Sequence, residues 1–112
     1  MIDYKSQFLD LEHQLDALAT KRLVGKPPSF ELLDDYYHLL ISYFKDINHI
    51  SSIEALDDVH LIIKPFNLEE RLTYILQRKH HYMGYQQMKT LKSELIKMHA
   101  AYRVRYEDDG AS

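Results

Sequence analysis

Apolar residues recur at steps of three and four through most of this chain, and that spacing predicts a series of amphipathic helices. Tyr4, Phe8, Leu11, Leu15 and Leu18 make a first stripe, with Asp10, Glu12, His13, Asp16 and Lys21 between them. The helix they predict ends near Leu23, because Gly25 can take a left-handed cap and Pro27 and Pro28 cannot continue a helix. Ser29 then offers an N-cap, and Phe30, Leu33, Tyr37, Leu40, Phe44 and Ile47 carry the same spacing to about Asn48. Ser51 with Glu54 forms a capping-box pattern and predicts a short third helix through Ile53 and Leu56 toward His60. Leu61, Ile62 and Ile63 precede Lys64-Pro65, and the extended geometry favoured before proline predicts a non-helical, partly buried connector. Asn67 reads as the N-cap of a fourth helix, with Glu70 at its third position and Leu68, Leu72, Ile75 and Leu76 as its stripe to about Arg78.

Extending that stripe would put Lys79, Gln86 and Lys89 in a core, which their chemistry refuses. The apolar frame restarts at Tyr85 and runs through Met88, Leu91, Leu95, Met98 and Tyr102, so a turn is expected over Lys79 to Gly84, with Gly84 giving conformational freedom. These elements predict an all-α fold: a compact helical bundle of four longer helices plus one short helix. It forms a single domain over residues 1–106, the last helix packing against the first two, with a disordered acidic tail at 107–112.

Composition narrows this picture further. The chain has 112 residues, 46% hydrophobic and 28% charged, enough for one core. It contains no cysteine, which removes disulfides, thiolate nucleophiles and cysteine-rich zinc sites. The opening MIDYKSQF lacks a basic region followed by an apolar run, and no stretch approaches the ~20 apolar residues of a bilayer span, so a cytoplasmic protein without a membrane segment is expected. The net charge of −3 hides a division. Residues 1–70 carry six Lys/Arg against thirteen Asp/Glu, whereas residues 71–105 carry eight Lys/Arg against Glu94 alone. Either the two halves neutralise each other within the fold, which is the expectation for a small bundle, or the basic third faces an anionic partner.

Four Asp-x-x-His pairs recur, Asp10/His13, Asp35/His38, Asp46/His49 and Asp57/His60. Helical metal sites need such ligands to converge inward, but His13, His38 and His49 lie opposite the apolar stripes, so surface pairs and no metal are expected. Adjacent carboxylates at Asp34-Asp35, Asp57-Asp58 and Glu69-Glu70 point to different sides of a helix, and Glu69 and Glu70 suit a helix N-terminus. There is no Gly-rich phosphate loop and no nucleophile or metalloprotease motif. The expectation is a protein with neither enzymatic activity nor cofactor.

The binding candidates are Arg71, Arg78, Lys79, His80, His81, Tyr82, Lys89, Lys92, Lys97 and Arg103, with Arg105 and the interleaved Tyr74, Tyr85 and Tyr102. Lysines and arginines can neutralise phosphates and tyrosines can stack on bases, although Tyr85 and Tyr102 belong to the core stripe. Ile96, Ala100 and Val104 follow at four-residue steps away from that stripe, and are expected to be covered by the chain's own helices or else to form a narrow interface.

The segments ERLTYIL at 70–76 and HYMGYQQMKTL at 81–91, followed by a basic helix, resemble the YpoC-like family, most clearly over residues 64–102. The resemblance implies a helical cytoplasmic protein of Gram-positive bacteria with genes of replication and base-excision repair nearby. It brings no catalytic residue to carry over. The expected role is a non-enzymatic adaptor that binds a protein partner through the region from Arg71 to Arg105. The alternative is a weak nucleic-acid binder using the same charges.

Overall fold

A computed structural model describes residues 3–53 and 61–107. Helix α1 (Tyr4–Thr20) opens on Asp3, whose carboxylate accepts from the Ser6 N–H at 3.1 Å and from Ser6 Oγ at 2.7 Å. It closes earlier than the Gly25 signal suggests. Arg22 takes the left-handed conformation (φ 57), and the N–H groups of Leu23 and Arg22 satisfy Leu18 O and Ala19 O in a Schellman arrangement. Gly25 (φ 97) instead shapes the following turn.

Helix α2 (Pro27–Asn48) starts two residues before the predicted cap, since Pro27 and Pro28 fit a first turn whose N–H groups need no intrahelical partner. Ser29 is fully buried inside that turn, accepting from the Gly25 N–H at 2.9 Å and donating to Lys26 O at 2.8 Å. The far end closes on left-handed His49 (φ 57), with Ile50 N–H on Lys45 O. Besides the predicted stripe, α2 buries Tyr36, Ile41 and Tyr43, which makes it apolar on two faces and places it at the centre of the bundle.

Ser51–Ile53 are not helical, and the remainder of the expected short helix, 54–60, lies outside the described residues. The connector is non-helical as predicted, with Ile63 and Pro65 buried. Helix α3 (Leu68–Arg78) begins after Asn67, which reaches the N-cap position in a left-handed conformation without a side-chain cap bond. Leu68, Leu72 and Ile75 are buried, but Leu76 is 54% exposed. One residue past Ile75 it has rotated about 100° off the buried face, so the expected stripe narrows to three residues.

Helix α4 (Tyr82–Tyr102) continues into a π-helical turn at Arg103–Glu107. Tyr85, Met88, Leu91 and Leu95 are buried, with Met98 and Tyr102 half-buried. The turn before α4 is shorter than predicted, and Gly84 sits inside the first helical turn. Its requirement is space and not conformational freedom, because a Cβ there would lie 1.8 Å from Arg78 O.

α2 packs against α1 on one side and α4 on the other, and α3 packs on α4. Helices α1 and α4 do not come within 8 Å of each other at Cα, so they flank α2 and leave a cleft between them. No strand occurs among the described residues, and no described helix is long and apolar enough to cross a membrane.

Candidate functional site

One end of the α1–α4 cleft is closed by charge. Lys92 Nζ meets Glu12 Oε2 at 2.6 Å, and the buried Tyr36 hydroxyl donates to the same oxygen at 2.6 Å. One turn away, Asp16 Oδ1 accepts from Tyr85 OH at 2.9 Å and pairs with Lys89 Nζ at 3.6 Å. The two tyrosine rings meet edge to face at 5.6 Å, while Lys92 and Lys89 lie over the rings of Phe8 and Tyr85. Burial first, and then the accepting carboxylates, push both phenols far above their ordinary value.

The α3–α4 turn is fastened to α2 in the same way. His80 Nε2 lies 2.7 Å and Lys79 Nζ 3.0 Å from Asp34 Oδ1, and the His80 ring stacks on Phe30 at 4.4 Å. Hydrogen bonds from His80 and then Lys79 hold the Asp34 carboxyl below its ordinary range. Arg71 grips both oxygens of Glu94 across α3 and α4 and lowers that carboxyl likewise.

The structure therefore divides the predicted basic set. Arg71, Lys79, His80, Lys89 and Lys92 face acids of this chain. Arg78, His81, Tyr82, Lys97, Arg103 and Arg105 are exposed but spread from the end of α3, along α4, to the π-helical turn. The expected mutual neutralisation of the two halves is visible in the pairs Lys92–Glu12, Lys89–Asp16 and Lys79–Asp34.

The other end of the cleft is open. Ile96 and Ala100 of α4 face Tyr4 and Phe8 of α1 over Tyr43 of α2, around a cavity of about 550 Å³. Tyr43 packs edge to face on Tyr4 at 5.1 Å, on Phe8 at 6.0 Å and on His99 at 6.4 Å. Tyr4 donates to the Asp46 carboxylate, and burial together with that acceptor pushes its phenol up to about 12. Lys5, His99 and Arg103 form a basic rim, and Asp3 on the same rim is held in its own helix cap.

Coverage of the Ile96 face by the chain's own helices is only partial. Ile96 is half-buried, whereas Ala100 is exposed and Val104 is 69% exposed, because no described helix crosses the open end. Val104 lies beyond the cleft in the π-helical turn. The residues missing from the sequence reading are Lys5, Tyr43 and His99. A signal for Tyr43 exists in the series Leu33, Tyr36, Leu40, Tyr43 and Ile47, a second helical ridge on α2.

His13, His38 and His49 are exposed as their helical frame predicts, but their sequence neighbours bond elsewhere: Asp10 accepts from Gln14 at 3.2 Å and Asp46 from Tyr4. Asp57 and His60 lie outside the described residues. No three His, Asp or Glu side chains among the described residues are grouped to hold a metal ion.

The chain belongs to the YpoC-like protein family, whose model matches residues 2–107 and so extends the likeness through the N-terminal helices. No curated protein and no solved structure matches it.

Proposed function

We propose that this member of the YpoC-like family is a protein-binding module whose docking surface is the open end of the α1–α4 cleft. The observation that carries the reading is the aromatic and aliphatic lining of that cleft, where half-buried Ile96 and exposed Ala100 stand opposite half-buried Tyr4 over a floor of Phe8 and Tyr43, between two helices whose Cα atoms stay more than 8 Å apart. A gap of this shape accepts an amphipathic helix, whose apolar face replaces the missing neighbour. Lys5, His99 and Arg103 on the rim favour acidic residues flanking that face.

The nucleic-acid reading draws less support from the same geometry. Phosphate tracking needs a row of available cations, and four of the predicted ones are spent on Glu12, Asp16, Asp34 and Glu94.

Photo-crosslinking tests the proposal, with p-benzoylphenylalanine placed at Lys5 on the exposed rim of the cleft and, as a control, at the exposed Gln77 of α3. A discrete protein adduct from position 5, competed by unlabelled protein and absent from position 77, is the expected result. Equal adducts from both positions, or adducts to nucleic acid alone, would overturn it.

A further inference from the structure

Phe66 is 82% exposed, yet the backbone that carries it is firmly held. Ile63 is buried and bonded to Asn48, Pro65 is buried, and Leu68 is fully buried on the other side. Between these anchors Asn67 adopts the left-handed conformation (φ 54), so the chain turns with the Phe66 ring directed outward. Arg71 Nη1 donates to Phe66 O at 3.4 Å while Glu94 grips the same guanidinium. A phenyl ring held in water on a fixed backbone forgoes the stabilisation of burial, and such positions commonly serve as anchors for a partner.

Beside the ring lies a groove of about 660 Å³ between α3 and α4, with Tyr74, Glu70 and Gln87 on its walls. Tyr74 is 37% exposed and stands one helical turn after Glu70. Charge here is unbalanced. Lys64 pairs with Glu69 at 3.7 Å and Arg71 pairs with Glu94, and these cancel. Glu70 is left with no ion-pair partner among the described residues. One surplus carboxylate beside two exposed aromatic rings is a setting that attracts a cation, through the ring faces and through a charge-assisted hydrogen bond.

The geometry points to a second docking site at this edge, which takes a basic segment of a partner protein: an apolar residue covers Phe66 while a lysine or arginine reaches Glu70 and Tyr74. Its charge is opposite to that of the cleft rim formed by Lys5, His99 and Arg103, so the two surfaces select different partners. The assignment stands on Phe66 and Glu70 and is independent of the cleft.

The test is titration of the ¹⁵N-labelled full chain with a blocked peptide Gly-Lys-Trp-Lys-Gly, beside its twin carrying Glu in place of Lys. The expected result is saturable shifts of the amides of Phe66, Asn67, Glu70, Tyr74 and Gln87 with the lysine peptide alone. Phe66→Ser and Glu70→Gln each weaken binding by about tenfold or more, while Ala100→Trp leaves it unchanged. Both Phe66 and Glu70 are exposed, so these variants keep the fold. No saturable shift, equal shifts with the glutamate peptide, or shifts indifferent to Phe66→Ser would overturn the assignment.

Discussion

Asn48 pairs with the Ile63 backbone as a neighbouring strand would, its Oδ1 accepting the Ile63 N–H at 2.7 Å and its Nδ2 donating to Ile63 O at 3.1 Å. The same amide nitrogen donates to Phe44 O at 3.1 Å, so a buried side chain at the end of α2 satisfies the backbone of a connector residue that enters the core. Asn48→Ala strands the buried Ile63 N–H and C=O, and we expect it to cost about 2–4 kcal/mol in urea unfolding. The Ile63 amide should also lose its protection from hydrogen exchange. Retained stability and protection would mean that water replaces the amide at no cost.

At Gly84 a smaller change produces a reversal of sign. Alanine in an exposed helix normally stabilises relative to glycine by ~1 kcal/mol. Here the added methyl meets Arg78 O at 1.8 Å, so α3 and α4 must separate. Gly84→Ala is therefore expected to lower stability, by about 1–3 kcal/mol as overpacking does, and a rise in Tm would contradict the close approach.

These two residues show where the sequence was legible and where it was not. The helices announced themselves because Phe8, Leu15, Leu40, Phe44, Met88 and Leu95 obey one helical period, and period survives whatever packs against it. Gly84 could be read as important, but its reason lies in a carbonyl six residues earlier, a distance that only folding creates. Asn48 looked like a helix end and is also a buried partner for a connector fifteen residues away. The basic residues misled for a related reason: their abundance on α3 and α4 is visible in composition, whereas their pairing with Glu12, Asp16 and Asp34 depends on which helices become neighbours. Ile96 and Ala100, like Tyr4, could be found from spacing, but that they face each other across Tyr43 depends on which helices become neighbours.

Lys92 and Glu12, whose side chains are 16% and 15% exposed, form the least solvated ion pair described. Lys92→Met leaves the Glu12 carboxylate facing Tyr36 alone and is expected to cost about 1–3 kcal/mol. Adding Glu12→Gln removes the stranded charge and should restore most of the loss. A double-mutant cycle measures this coupling, and strict additivity would show that the pair does not act as a unit.

Acid should loosen the fold through Asp34 and Glu94. Their ordinary values are 3.8 and 4.5, and bonds from His80 and from Arg71 respectively hold both lower in the folded chain. Each therefore contributes stability that is fully present above those values and is lost as pH falls below them and through the lower folded values. Tm should decline below about pH 4.5, and Asp34→Asn with Glu94→Gln should flatten that decline. An acid limb that is equally steep in the double variant would assign it to other carboxylates.

The claim that a partner helix fills the open α1–α4 cleft is tested most directly by the affinity of the protein crosslinked at position 5, measured by calorimetry at about 50 and about 500 mM NaCl. Ala100→Trp, which fills the exposed mouth of the cleft, should weaken binding by about tenfold or more. Lys97→Gln with Arg105→Gln should change it by less than about threefold, and most of the affinity should survive the higher salt. Binding that ignores Ala100→Trp but collapses with salt or with the loss of Lys97 and Arg105 would contradict the account and return the function to the exposed positive charge.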